Sequence, residues 1–307
     1  MQFRIKVVQS LAVFALSFFL LPAATKAQHY QQTNLVSDLS NQGAAIVDPN
    51  LRNPWGLTRG APTPANPNGS PWWIGNNNSG TSTLYNGSGN PQNFFPDPHP
   101  DSNGNGINSP FNNFVMVPPP GFAPGTQSTP TGVVFNGSPS DFLVAPGKQA
   151  TFIFNIQNIG GTLFVTYAKQ DGARHDPVGG PGLGFVELFS PAGHHIGHLE
   201  HGDWFNAPWG VVWTTRDFGE FSNTILVGNF RSGWIAAFNG FTHKFIGLVR
   251  NPDDSIMTID GLWSLTFGND GNAGPADTLF FTAGINNESD GLFGTIKPVD
   301  GLDGDEE

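Results

Sequence analysis

Short runs rich in β-branched and aromatic residues, separated by Gly and Asn, make up most of this chain. Residues 163–167, 185–189, 225–227, 234–238 and 279–282 read as strands by alternation and side-chain type. No segment beyond the first 27 residues shows sustained helical periodicity with caps. Composition points the same way: 12% of the residues are charged, against roughly a quarter in an ordinary globular chain, and 40 Gly with 26 Pro make up 66 of 307 positions. Such a chain starves helices and feeds turns. The 27 Phe and 8 Trp supply apolar bulk for a core, which separates it from disordered sequences of similar polarity. The pattern predicts an all-β, loop-rich fold.

Self-similarity decides which one. Pro54-Trp55-Gly56-Leu57 recurs as Pro208-Trp209-Gly210-Val211, with looser copies at Pro130-Thr131-Gly132-Val133 and Gly261-Leu262-Trp263-Ser264-Leu265. A second motif, Gly75-Asn76-Asn77-Asn78-Ser79-Gly80, matches Gly228-Asn229-Phe230-Arg231-Ser232-Gly233 at four of six positions. Trp55 precedes Gly75 by 20 residues and Trp209 precedes Gly228 by 19, so motifs and spacing recur together. A unit of inner strand, second strand, Asn/Gly turn, third strand and outer strand is a propeller blade, which buries its faces against neighbouring blades. The alternative is a β-sandwich, which also has short strands and frequent turns but does not predict the paired spacing.

The repeat, with Leu226-Val-Gly-Asn-Phe-Arg-Ser-Gly-Trp-Ile-Ala-Ala-Phe238, resembles the NHL type of propeller repeat. Asn53-Pro-Trp-Gly-Leu57, Asn155-Ile-Gln-Asn-Ile-Gly-Gly161, Tyr167-Ala-Lys-Gln-Asp171, Asn206-Ala-Pro-Trp-Gly210 and Ile259-Asp-Gly-Leu-Trp263 resemble an uncharacterised family of exported bacterial proteins, some with a PEP-CTERM sorting tail. That resemblance implies six blades and no known reaction. This chain departs from it in two respects. Thr151-Phe-Ile-Phe154 runs directly into Asn155-Ile-Gln157, as though about one and a half blades, on the order of 60–70 residues, were missing, leaving about five units or an incomplete ring. The sorting tail is also absent from the sequence.

Arg4 and Lys6 precede an apolar run over 7–21, then Pro22 and small residues ending at Ala27, the layout of a secretory signal peptide with a mature start at Gln28. The run of about 15 residues falls short of the roughly 20 that span a bilayer, and no later stretch approaches it. An uncleaved anchor helix is the alternative. The expected organisation is a signal at 1–27, a propeller over 28–298 and an acidic tail at 299–307, with a secreted or periplasmic location. Removing the signal deletes three cations and no acids, taking 13 − 24 = −11 to 10 − 24 = −14, which argues against nucleic acid as a partner. With no cysteine in an exported chain, stability must come from core burial or bound ions.

Candidate chemistry is sparse. Trp55, Trp209 and Trp263 occupy one position of the repeat and read first as packing between blades. Lining an axial pocket with Asn53, Asn206 and Asp260, they would instead form a stacking platform for a sugar or another flat ligand. Lys169, Asp171, His175 and Asp176 share one Gly-rich loop and could supply an acid/base pair, with a structural salt bridge as the plainer reading. Asp101, Asn103, Asn105 and Gly106 match the first half of a calcium loop, but its twelfth position is Asn112 in place of a bidentate Glu. His194, His195, His198 and His201, near Glu200 and Asp203, form the densest set of metal ligands, yet strand parity divides them between two faces and a polar blade rim explains them equally. The Asn77-Asn78, Asp270-Gly271-Asn272 and Asn286-Asn287-Glu288-Ser289-Asp290 turns offer oxygens that turn propensity already accounts for. No Ser in a nucleophile elbow, no Cys nucleophile and no phosphate-cradling loop before a helix is present.

Three functional expectations follow. The first is an exported, soluble, non-enzymatic propeller that binds a small molecule, a glycan or an extracellular protein. The second is a calcium-dependent hydrolase of the lactonase kind, with calcium at the axis as the one candidate cofactor. The third is a truncated, non-functional copy of a six-bladed parent.

Overall fold

A computed structural model describes residues 29–92, 113–116, 153–172, 176–215 and 217–299. Their strands form four antiparallel sheets in a propeller arrangement. Blade I runs β3 (Pro54–Thr58), β4 (Trp72–Asn76), β5 (Thr81–Tyr85) and β6 (Phe114–Met116). Blade II runs β7 (Ile153–Ile159), β8 (Thr162–Tyr167), β9 (Phe185–Phe189) and β10 (His195–His198). Blade III contains β11 (Pro208–Trp213), β12 (Thr224–Asn229), β13 (Ile235–Asn239) and β14 (Phe245–Leu248). In blade IV, β15 (Leu262–Phe267), β16 (Leu279–Ala283) and β17 (Leu292–Val299) are completed by the N-terminal strand β1 (His29–Ser37), beyond which lies the short β2 (Ile46–Val47).

The first strand of each blade is the inner one, and these pack in the order β7, β11, β15, β3. Four of the five strands expected from alternation fall within strands of the structure, the fifth begins at Ile235 in place of Trp234, and the four separate sheets set aside the sandwich. The Pro130–Val133 copy lies outside the described residues.

Apolar side chains fill the seams between blades. Phe164, Val186 and Leu188 of blade II meet Val211, Ile225 and Val227 of blade III. Leu226 and Ile235 meet Leu265, Leu279 and Phe281 between blades III and IV. Trp72, Ile74 and Tyr85 meet Phe280 and Phe293 between blades IV and I. Blades III and IV each bury apolar side chains in two seams, so such a blade is stable only with neighbours. The join at Phe154-Asn155 falls inside β7, an inner strand whose ladder shifts register at Phe154 and which turns at Gly160-Gly161 directly into β8.

One irregularity repeats in every blade. The ladder between the first two strands shifts register after Pro54, Ile153, Pro208 and Leu262. The displaced residue that follows is Trp55, Phe154, Trp209 or Trp263. A bulge at a strand end re-aims a side chain, and here it sends one aromatic ring per blade to the same place.

Candidate functional site

Those four rings and Phe230 converge into one cluster. Trp263 is its centre, with ring centroids at 4.3 Å from Trp55, 5.5 Å from Trp209, 5.8 Å from Phe154 and 4.0 Å from Phe230, the last nearly parallel. Trp263 is 1% exposed and Trp209 7%, so both rings are spent on packing within the cluster, while Trp55 is half-buried.

Above this apolar column, polar groups are held by short turns. Asn53, 1% exposed, lies at its centre. Its Oδ1 accepts the indole N–H of Trp55 (2.9 Å) and that of Trp263 (3.1 Å), and its Nδ2 donates to Oε2 of Glu288 (3.1 Å). The aromatic cluster and the polar layer are thereby joined through one side chain. Glu288 sits in the β16–β17 turn, where Asn286, Asn287 and Glu288 take φ of 54°, 52° and 66° in succession. Consecutive non-glycine residues in the left-handed region cost of order 1 kcal/mol or more each, and such strain collects at functional sites. The turn is fastened on several sides. The Asn286 amide donates to Asp260 (2.9 Å), its side chain donates to Asp290 (2.9 Å), Arg52 donates to the Ser289 carbonyl (3.2 Å), and Asn78 donates to the Glu288 carbonyl. A Cβ on Gly284 would stand 2.1 Å from Oδ1 of Asn53, so only glycine lets the turn close on that amide.

Burial raises the pKa of Glu288 above the ordinary glutamate value; its bond from Asn53 and the charge of Arg231 act in the opposite sense, and Asp176 reinforces the rise. Arg231 stacks its guanidinium 4.8 Å from the Phe230 ring centre and donates Nε to the Pro177 carbonyl (3.1 Å), which fixes it beside the β8–β9 loop. Asn206 accepts the Gly180 amide at 2.8 Å in that loop. The face therefore presents a half-buried carboxyl that exchanges a proton closer to neutrality than usual, a fixed cation and several amides above a rigid aromatic floor. Such a set can orient a polar ligand or move a proton.

The sequence candidates are distributed unevenly. Asn53, Trp55 and Trp263 are directly joined, Trp209 packs edge-on to Trp263, and Asn206 and Asp260 hold the adjoining loops. Asp176 acts on Glu288 through charge, whereas Lys169 and Asp171 serve the hairpin through backbone bonds, Val178 N to Lys169 O (2.7 Å) and Asp171 N to Asp176 O (2.9 Å). Asp101, Asn103, Asn105 and His175 lie outside the described residues. His194 and His198 are exposed at the blade rim, His195 bonds Glu187, His201 bonds the Gly182 carbonyl (3.1 Å) and Glu200 pairs with Lys244 (3.3 Å). Among the described residues no three His, Asp or Glu side chains gather as a metal group.

Glu288 and Arg231 were not singled out by their chemistry from the sequence. For Arg231 the signal was there. The two copies of the Gly-Asn-x-x-Ser-Gly motif differ only at Asn77/Phe230 and Asn78/Arg231. Phe230 and Arg231 of one copy and Asn78 of the other meet this site. Glu288 lay in the Asn286–Asp290 turn, whose oxygens turn propensity already explained, and its approach to Asn53 follows from closure of that turn, which no motif encodes.

No family model matches the chain. It is similar to three uncharacterised proteins of Acanthamoeba polyphaga mimivirus, at 30%, 31% and 28% identity, each over 145 residues. The match covers 46–47% of this chain and 34%, 26% and 37% of those proteins, so the chain spans between about a quarter and two fifths of their length. These relatives are viral, and they do not bear on the exported bacterial family that the motifs resemble. Among solved structures, a catalytically inactive virginiamycin B lyase of Staphylococcus aureus aligns with a TM-score of 0.28 at 12% identity, over 85% of this chain and 55% of that one. A luciferin-regenerating enzyme aligns with a TM-score of 0.22 at 12% identity, over 45% and 58%. Neither score supports carrying over a site, and the fold assignment rests on the strand topology.

Proposed function

We propose that this protein is an exported propeller that binds a polar small molecule or glycan, or a side chain of an extracellular protein, on the face built around Asn53, Glu288 and Arg231. One observation carries the reading: a strained turn, anchored through Asn53 to two indoles, holds Glu288 half-buried near the charge of Arg231. A purely structural loop has no need of that strain or of a half-buried carboxyl. The exported character rests on the Arg4, Lys6 and apolar 7–21 pattern and on the NHL-like resemblance to exported bacterial proteins. Among the described residues no helix is long and apolar enough to cross a membrane.

The test is a thermal-shift panel of glycans, amines and carboxylates on residues 28–307, run beside Glu288→Gln and Arg231→Ala. A compound that raises the wild-type midpoint and leaves both variants unmoved supports the reading, since a ligand of the native state stabilises by mass action. Equal shifts in all three proteins, or no shift with any compound, overturn it.

Hydrolysis at the same face is a second reading, favoured by the raised pKa of Glu288, which suits a general acid or base. In the calcium-dependent version, Asp260 and the amides around it would supply oxygens to the ion. A melt that rises with added calcium and falls with chelator, together with lactone hydrolysis that Glu288→Gln abolishes, would favour this reading over simple binding.

A further inference from the structure

The seam between blades IV and I carries an open pocket, on the side opposite the Asn53 face, at the β5–β6 and β15–β16 connections. Its volume is about 280 Å³, close to the lower end, roughly 300 Å³, of small-molecule sites. The floor is apolar, formed by the fully buried Phe280, the half-buried Leu35 and the exposed Pro275. Leu35 reaches it because β1 shifts register between Asn34 and Val36. The wall carries hydroxyls and one cation. Thr295 and Lys297 alternate along β17 and so share a face, and Thr33 stands directly opposite Thr295 on β1. One side is a close approach of two turns: a Cβ on Gly87 would lie 2.3 Å from the Gly274 Cα, and the Gly87 amide donates to the Asn272 carbonyl at 2.8 Å. This wall cannot shift outward without breaking the seam.

Lys297 is exposed and has no ion-pair partner among the described residues, in a chain with 24 acids against 13 Lys and Arg. The carboxylate nearest in sequence to the wall, Asp277, is engaged by the Thr278 hydroxyl at 3.1 Å. We propose that this cavity binds a small organic acid, its carboxylate on the Lys297 ammonium and the Thr33 and Thr295 hydroxyls, its apolar body on Phe280, Leu35 and Pro275. A neutral analogue loses the charge-assisted bonds. A bare inorganic anion gains nothing from the apolar floor.

The probe is benzoate, titrated into residues 28–307 by calorimetry, with threonine methyl resonances followed by NMR. Benzyl alcohol and inorganic phosphate are the comparison ligands. Expected are saturable benzoate binding that moves the Thr33 and Thr295 methyls, and binding at least about tenfold weaker for both comparison ligands. Lys297→Met, at an exposed position, melts as the wild type yet loses about tenfold in benzoate affinity, and Lys297→Arg keeps it within about threefold. The proposal is overturned if benzoate does not saturate, if Lys297→Met binds it as the wild type does, if phosphate binds as tightly, or if the Thr33 and Thr295 methyls stay still.

Discussion

Three of the four inner strands are entered through a left-handed residue at the same repeat position: Asn53 (φ 47°), Ala207 (φ 55°) and Gly261 (φ 62°). Asn and Gly tolerate that conformation, whereas Ala carries a cost of roughly 1–2 kcal/mol. Ala207 is held there by its amide on the Leu183 carbonyl and by the Phe230 amide on its own carbonyl, both at 2.9 Å. Its Cβ is buried in the aromatic cluster, so strain and packing oppose each other. Ala207→Gly is expected to stay within about 1 kcal/mol of the wild type, with stabilisation as the favoured direction. Ala207→Val is expected to lose more than about 2 kcal/mol, because β-branched side chains resist positive φ. Denaturant melts of the two variants check this, and equal losses in both would show that packing rather than conformation governs the position.

Among the elements, β1 has the greatest leverage. Its residues pair with β17 from His29 opposite Val299 to Ser37 opposite Leu292, so the start of the chain supplies the fourth strand of the last blade. Tyr30, fully buried, extends that closure sideways. Its hydroxyl donates to the Phe218 carbonyl and accepts the Phe221 amide, both at 3.1 Å, and its ring stacks on Phe221. A strand of blade IV is thereby tied to blade III. Tyr30→Phe keeps the ring and strands two buried backbone groups, which predicts a loss of about 1–3 kcal/mol in an equilibrium melt. A loss below about 0.5 kcal/mol would mean that water replaces the hydroxyl.

For the molecule as a whole, an excess of acid shapes the pH response. Burial raises the pKa of Asp38 from 3.8 to about 6, and Asp290 adds to the rise, against the Gly291 amide that donates to it at 2.8 Å and the Arg52 guanidinium at 3.8 Å. The folded state therefore holds this proton more tightly than the unfolded chain. Its contribution is complete below the unfolded value and is lost as pH rises through the folded one, so stability falls between about pH 4 and pH 6. After allowance for solvent screening the change is about 1–3 kcal/mol. Glu288, also raised, adds a fall of the same sign above its own ordinary range. Asp38→Asn should flatten the decline between pH 4 and pH 6, read as melting midpoint against pH. A wild-type slope that persists in this variant would place the titration elsewhere.

Much of this was legible in advance because it is local or repetitive. Strand-forming runs, Asn/Gly turns and the spacing of Trp55 to Gly75 and of Trp209 to Gly228 specify a blade, and a blade with two apolar faces demands neighbours. The pairing of β1 with β17 was not legible, since it joins positions more than 250 residues apart with no motif in common. The equivalence of Phe154 to the three tryptophans was hidden by a different residue type and a shorter connection, and only the shared bulge reveals it. The alternation of apolar and polar positions thus determined the blades and the convergence of their inner strands. Which side chains meet at the axis was decided by tertiary closure, because the Asn53 bond to Glu288 and the charge of Arg231 on that carboxyl depend on turns from different blades being brought within hydrogen-bonding and Coulombic range.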